Sequence, residues 1–172
     1  MSYDICLQKI IAGDSALCTP DEAQACVQLF ATITSDEPDK YNFLVLQFDD
    51  GSSTEISVWD DEKAISGCMF FTRGISHSLL EFIYKMSKAG GFVILDTGGS
   101  DTPESPIAIM TSKEVFLKVG KNEFEHPKLC GSVLELSEIL SSSSDSWIEY
   151  RDHVVESSTD PFVKPQKKEI VA

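Results

Sequence analysis

Positive charge is what this sequence lacks most. Fourteen lysines and arginines stand against 28 aspartates and glutamates in 172 residues, a formal net charge of −14. Like-charge repulsion makes phosphate backbones and anionic membranes poor partners for such a chain, and a basic protein is its natural complement. Long apolar runs are missing as well: no stretch approaches the roughly 18 consecutive apolar residues that a membrane-spanning helix needs. The opening Met1-Ser2-Tyr3-Asp4 has neither the basic start nor the apolar run of a secretory signal, which predicts a chain that stays in the cytoplasm. The five cysteines (Cys6, Cys18, Cys26, Cys68 and Cys130) are odd in number and form no C-x-x-C pair. Four of them sit beside apolar residues, so reduced, buried thiols are expected rather than a disulfide framework.

The signatures of catalysis are equally sparse. His77, His126 and His153 lie far apart, with no His or Cys at ligand spacing, which predicts no metal site. Gly98-Gly99 lacks the Lys-Ser/Thr or following helix of a phosphate-cradling loop. The Gly-x-Ser-x-Gly elbow of serine hydrolases is absent, and the acidic clusters lack EF-hand spacing. These absences predict a protein with no cofactor and no catalysis of its own.

What is there suits one globular domain over residues 1–163, with 42% hydrophobic and 24% charged residues and a polar tail at 164–172. Residues 3–11 alternate loosely, as a strand would. Thr19, Pro20, Asp21 and Glu22 make the best helix start in the chain: an N-cap hydroxyl, a proline at the first position, and acids at the positive end of the dipole. Ala23, Cys26, Val27, Phe30 and Ile33 follow at helical spacing, predicting an amphipathic helix over 20–34. The β-rich runs 41–48 and 54–59 flank Asp49-Asp50-Gly51-Ser52-Ser53, a hairpin signal. Within the second run Ile56 and Val58 face one side, and Glu55, Ser57 and Trp59 the other. Asp60-Asp61-Glu62 is expected to end that strand.

A second helix begins at Ser76 or Ser78, carries Leu79, Leu80, Phe82, Ile83 and Met86, and stops at Ala89-Gly90-Gly91. Residues 92–95 read as a buried strand, 96–106 as a loop, and 107–110 as another strand. Residues 115–119 are a strand or a helical turn. Ser132 caps a helix through Leu134, Leu136, Ile139 and Leu140, and a weaker helical segment lies at 147–155. The mixture lacks regular βαβ alternation, so the expected fold class is α+β, with a mainly antiparallel sheet and flanking helices.

Val93-Ile94-Leu95-Asp96-Thr97-Gly98 resembles the apolar-apolar-Asp-Thr-Gly signature of aspartic proteases. That resemblance implies a homodimer in which two copies of Asp96 share a proton. Gly99 stands where that family has Ser, Thr or Ala, and a helix precedes the motif. A strand ending in a glycine turn explains the same letters.

The acids cluster: residues 1–62 hold thirteen of them against two bases, whereas residues 63–132 are close to neutral. Asp49 and Asp50 at the hairpin tip, Asp60, Asp61 and Glu62 at a strand end, and Asp96, Asp101 and Glu104 in the loop are the candidate partner-binding carboxylates. Trp59 and the pair Phe70-Phe71 are candidate aromatic anchors. In its small size, acidity, α+β make-up and lack of catalytic motifs, the chain resembles bacterial immunity proteins. These neutralise toxins delivered by contact-dependent or type VI secretion. The run Gly91-Phe92-Val93-Ile94-Leu95, the Gly/Pro loop and Ile107-Ala108-Ile109-Met110-Thr111 look like the strand-loop-strand heart of such domains. The resemblance implies occlusion, through an acidic surface, of the basic active-site cleft of a cytoplasm-acting toxin, a nuclease or an NAD-degrading enzyme. A non-inhibitory adaptor or secretion chaperone is the alternative.

Overall fold

A computed structural model describes residues 3–35, 43–61, 64–97, 107–120 and 123–141. β1 (Tyr3–Gln8) leads into a small hairpin of β2 (Ile10–Ile11) and β3 (Asp14–Ser15), turned by Ala12 and Gly13 at φ 53° and 84°. The expected strand over 3–11 is therefore broken after Gln8, because its last residues pair in a separate sheet.

α1 (Pro20–Phe30) begins as its sequence predicts. The Thr19 hydroxyl accepts the Glu22 N–H at 3.3 Å, and the Glu22 carboxylate accepts the Thr19 N–H at 2.8 Å, which completes the capping box. The helix is shorter than the expected 20–34. Ala31 caps it, and the chain bends into β4 (Thr34–Ser35), where Thr34 pairs with Gln47 of β5 (Phe43–Gln47). Sheet pairing takes over the residues that helical spacing alone would have kept.

β5 and β6 (Ser53–Asp61) form the expected hairpin, and β6 pairs in turn with β7 (Ala64–Thr72). β7 went unread in the sequence, where Gly67 and Cys68 interrupt its β-branched and aromatic character. β6 continues to Asp61 across a register shift after Trp59, so the acids at 60 and 61 lie in the strand instead of ending it. α2 (His77–Gly90) is capped by Ser76, whose hydroxyl accepts the Leu79 N–H at 3.1 Å, and it stops at Gly91 in the left-handed conformation.

β8 (Val93–Asp96) and β9 (Ile107–Met110) follow, then the short helix α3 (Lys113–Val115) running into a π turn, Phe116–Gly120. Residues 115–119 are thus helical. β10 (Lys128–Leu129) and a helix over 133–141, α4, complete the described chain. The Ser132 hydroxyl accepts the Glu135 N–H at 3.2 Å at the start of α4. The segment 147–155 and the tail 164–172 lie outside the described residues.

The strand order is β10-β9-β8-β1-β7-β6-β5-β4, antiparallel throughout except for the β9–β10 pair. β7 and β8 both run antiparallel to β1, so α2 carries the chain across β1. The fold is α+β, with a mainly antiparallel sheet and flanking helices.

All the larger helices pack on one face of the sheet. Ile5, Leu7, Leu46, Ile56, Cys68, Phe70, Ile94 and Ile109 meet Leu79, Phe82, Ile83 and Met86 of α2, Ala23 and Cys26 of α1, and Leu136 and Leu140 of α4. Phe82 lies edge-on to Phe30, Phe48 and Phe70, with ring centroids 5.4, 6.0 and 6.1 Å away. Leu134, expected on the apolar side of its helix, is 70% exposed. On the opposite face a smaller cluster of Val93, Ala108, Met110 and Val119 covers the β8–β9 end. All five cysteines are buried and reduced, and burial pushes the Cys6 thiol up to about 11. Among the described residues no helix is long and apolar enough to cross a membrane.

Candidate functional site

The hairpin tip between β5 and β6 is a rigid acidic point. Gly51 takes φ 81°, its N–H donates to the Phe48 carbonyl, and the Phe48 N–H donates to the Ser52 carbonyl, both at 2.9 Å. Asp50 accepts the Ser52 hydroxyl and, at 2.9 Å, the Ser52 N–H. The Ser52 and Ser76 hydroxyls lie 2.7 Å apart, which ties the tip to the start of α2. The Ser52 hydroxyl first, then the Ser52 N–H and Ser78, hold the Asp50 carboxyl far below the usual carboxylate range. Asp50 therefore does structural work while staying exposed and negative. Asp49 is exposed beside it, at the mouth of a 440 Å³ cleft floored by Leu29, Ile33 and Phe82.

Across β5, β6, β7 and β1 the register sets side chains in rows on the face turned away from the helices. Val45, Glu55, Phe71 and Asp4 form one row. Phe43, Ser57, Met69 and Cys6 form the next. Phe43 and Phe71 touch edge-on at 5.3 Å. Phe43, Val45, Trp59, Met69 and Phe71 are half-buried and Glu55 is exposed. Trp59 lies over Gly67, where an added Cβ would meet the Leu7 carbonyl oxygen at 2.3 Å and the indole at 2.9 Å. Gly67 thus gives the indole its place. Oδ1 of Asp4 is enclosed and has no hydrogen-bond donor among the described residues.

The structure redistributes the expected site. Trp59 joins this face, while Asp49 and Asp50 sit at its hairpin end. Asp60 and Asp61 occupy the end of β6, paired with Ile65 and Ala64. Glu62, Asp101 and Glu104 lie outside the described residues. Asp96 requires correction. It is not a loop residue but the last residue of β8, fully buried on the helix side between Ile5 and Ile107. Strand pairing runs one residue further than the apolar run suggested, and the Thr97 hydroxyl closes it by donating to the Asp4 carbonyl at 2.8 Å. A fully buried carboxyl in that position offers no surface to a partner. Phe70 faces the core and Phe71 the open side, so of the expected aromatic pair only Phe71 is placed where a partner could reach it.

The sequence does not single out Asp4, Phe43 or Met69. Glu55 and Phe71 had a local signal in strand alternation, but their alignment with Asp4 depends on the β1–β7 pairing, which no local pattern announces. Among the described residues no group of three or more His, Cys, Asp or Glu side chains is placed to hold a metal ion. No family model, curated protein or solved structure matches the chain.

Proposed function

We propose that the protein is an immunity-type inhibitor. In this reading it binds a basic, cytoplasm-acting toxin enzyme, a nuclease or an NAD-degrading enzyme, and occludes the active site without catalysis of its own. The observation that carries the reading is the open sheet face, where half-buried Phe43, Phe71, Met69 and Trp59 are gathered and Phe71 stands between Glu55 and Asp4, in a chain of net charge −14. Aromatic anchors with charge beside them are the make-up of a protein-binding surface, and a net excess of acids steers a basic partner towards it. A nuclease cleft or an NAD site is basic because its substrate carries phosphate, so it is the complement of this face. The hairpin tip, anchored through Ser52 and Ser76, presents its acids without an ordering cost.

The test is capture from the native cytoplasm at low and at high salt, followed by assay of the captured enzyme with increasing amounts of the chain. Support is a basic enzyme, retained only at low salt, whose activity falls to zero at an equimolar ratio. An enzyme that stays active when saturated would instead make the protein an adaptor or chaperone. Capture of nothing at either salt would overturn binding itself.

A further inference from the structure

Basic residues are scarce in this chain, yet three lysines line one concavity. A pocket of 340 Å³ lies where β2, the start of α1, the end of α2, α3 and the π turn meet, and Lys9, Lys88 and Lys118 line it with Glu22 and Glu114. Its volume falls within the range of small-molecule sites. The remaining wall is largely apolar, built from Ile10, Ile11, Val115 and Val119.

Each lysine is held differently. The Lys9 side chain is only 12% exposed, and its ammonium donates to Oε1 of Glu22 at 2.5 Å and to the Gly90 carbonyl at 2.9 Å. An ammonium has three donors, so these two bonds leave one. Gly91, left-handed at φ 62°, makes room for this amine, since a Cβ there would lie 3.0 Å from Nζ. Lys118 pairs with Glu114 at 2.6 Å on the rim. Lys88 has no carboxylate partner among the described residues and lies over the Tyr84 ring, 5.3 Å from its centroid. Three cations against two carboxylates leave the lining one positive charge in excess.

The backbone around the pocket is unusual. Ala12 is the one non-glycine residue with a positive φ among the described residues, and the π turn supplies Val119 and Lys118. Left-handed residues and π turns cost stability, and they concentrate where function requires them. Ile11 on the adjoining β2 strand also lines the pocket and is 57% exposed.

We propose that this pocket binds a small amphipathic monocarboxylate, a free organic acid with an apolar chain. The single excess charge suits one carboxylate, which Lys88 and Lys118 would receive, while Ile10, Ile11, Val115 and Val119 take the chain. Two glutamates in the lining disfavour a dianion such as phosphate. None of the residues in the Phe43, Glu55, Trp59, Met69 and Phe71 rows lines this pocket, and the site stands independently of the inhibitory role.

The test is a titration of the full chain with sodium octanoate, followed by amide chemical shifts. Sodium acetate and inorganic phosphate are run in parallel, on the wild type and on Lys88→Gln/Lys118→Gln. The expected result is saturable binding of octanoate at Kd on the order of 1 mM or tighter, as a ligand of that size allows. The shifts should centre on Ile11, Val115 and Lys118. The double substitution should weaken binding about tenfold, the loss of two charge-assisted contacts at a half-exposed site. Acetate should not saturate. Octanoate shifts that fail to saturate would overturn the proposal, as would equal affinity in the double variant or phosphate binding as tightly as octanoate. An unchanged dispersion of the variant's amide spectrum separates lost binding from lost folding.

Discussion

Four strands, β5, β6, β7 and β1, carry two faces one residue out of phase, and the two are built on different principles. Leu46, Ile56, Phe70 and Ile5 line the covered face, and all four are fully buried. Val45, Glu55, Phe71 and Asp4 line the other, and none of them is. The covered face is mostly hydrocarbon, with Thr54 and Thr72 buried among it, and it is closed by α1, α2 and α4. The open face sets Phe71 between two carboxylates, Glu55 and Asp4, which no packed core would tolerate without partners. Period-two geometry lets a single backbone do both, because stability is drawn from one face while the other is free to carry recognition.

The largest difference between the faces should appear in neighbouring phenylalanines. Phe70→Ala is expected to cost about 3–5 kcal/mol of stability in chemical denaturation, as truncation of an enclosed ring does. Phe71→Ala, one position along, should cost about 1–2 kcal/mol, in keeping with its partial burial, while reducing partner affinity at least tenfold. Equal losses of stability would erase the distinction between the faces.

A smaller effect is expected where the faces meet at Gly67. Gly67→Ala should destabilise by about 1–3 kcal/mol, because its Cβ meets the Leu7 carbonyl. It should also move the Trp59 fluorescence, since the indole lies over that position. A stability change without a fluorescence change would contradict the placement of Trp59.

The smallest expected effect concerns acid. Burial alone would raise the pKa of Glu22, but bonds from Lys9 and from the Thr19 backbone and hydroxyl outweigh it, and the carboxyl lies below its ordinary value. A depressed carboxyl contributes stability in full above the unfolded-state pKa and loses it as pH falls through the lower, folded value. Denaturation midpoints across that acid range should therefore fall less steeply in Glu22→Gln than in wild type. The variant should be the less stable of the two near neutrality.

Much of the covered face was legible in the sequence. Thr19 through Glu22 carried their capping box in plain sequence, Asp50-Gly51 announced the hairpin, and Leu79 through Met86 stood at helical spacing. All three are local signals whose partners lie within a few residues. The open face was less legible because it is made by pairing. Glu55, Phe71 and Asp4 are far apart in the chain, and only the β6–β7–β1 register sets them in a row. Asp96 was misplaced for the same reason: both of its neighbours, Ile5 and Ile107, belong to strands whose pairing no local rule supplies. Asp50 carries a local signal in its charge and in the Asp-Gly pair, but its bonds to Ser52 depend on the turn's geometry.

The most direct test of recognition by the open face is the association rate of the captured enzyme with wild type and with Glu55→Lys at low salt. Glu55 is exposed, so the substitution leaves the core untouched. Association slowed about tenfold or more, with matching loss of inhibition, is the expected result, because an attractive charge has become repulsive. An unchanged rate with inhibition intact would contradict the account.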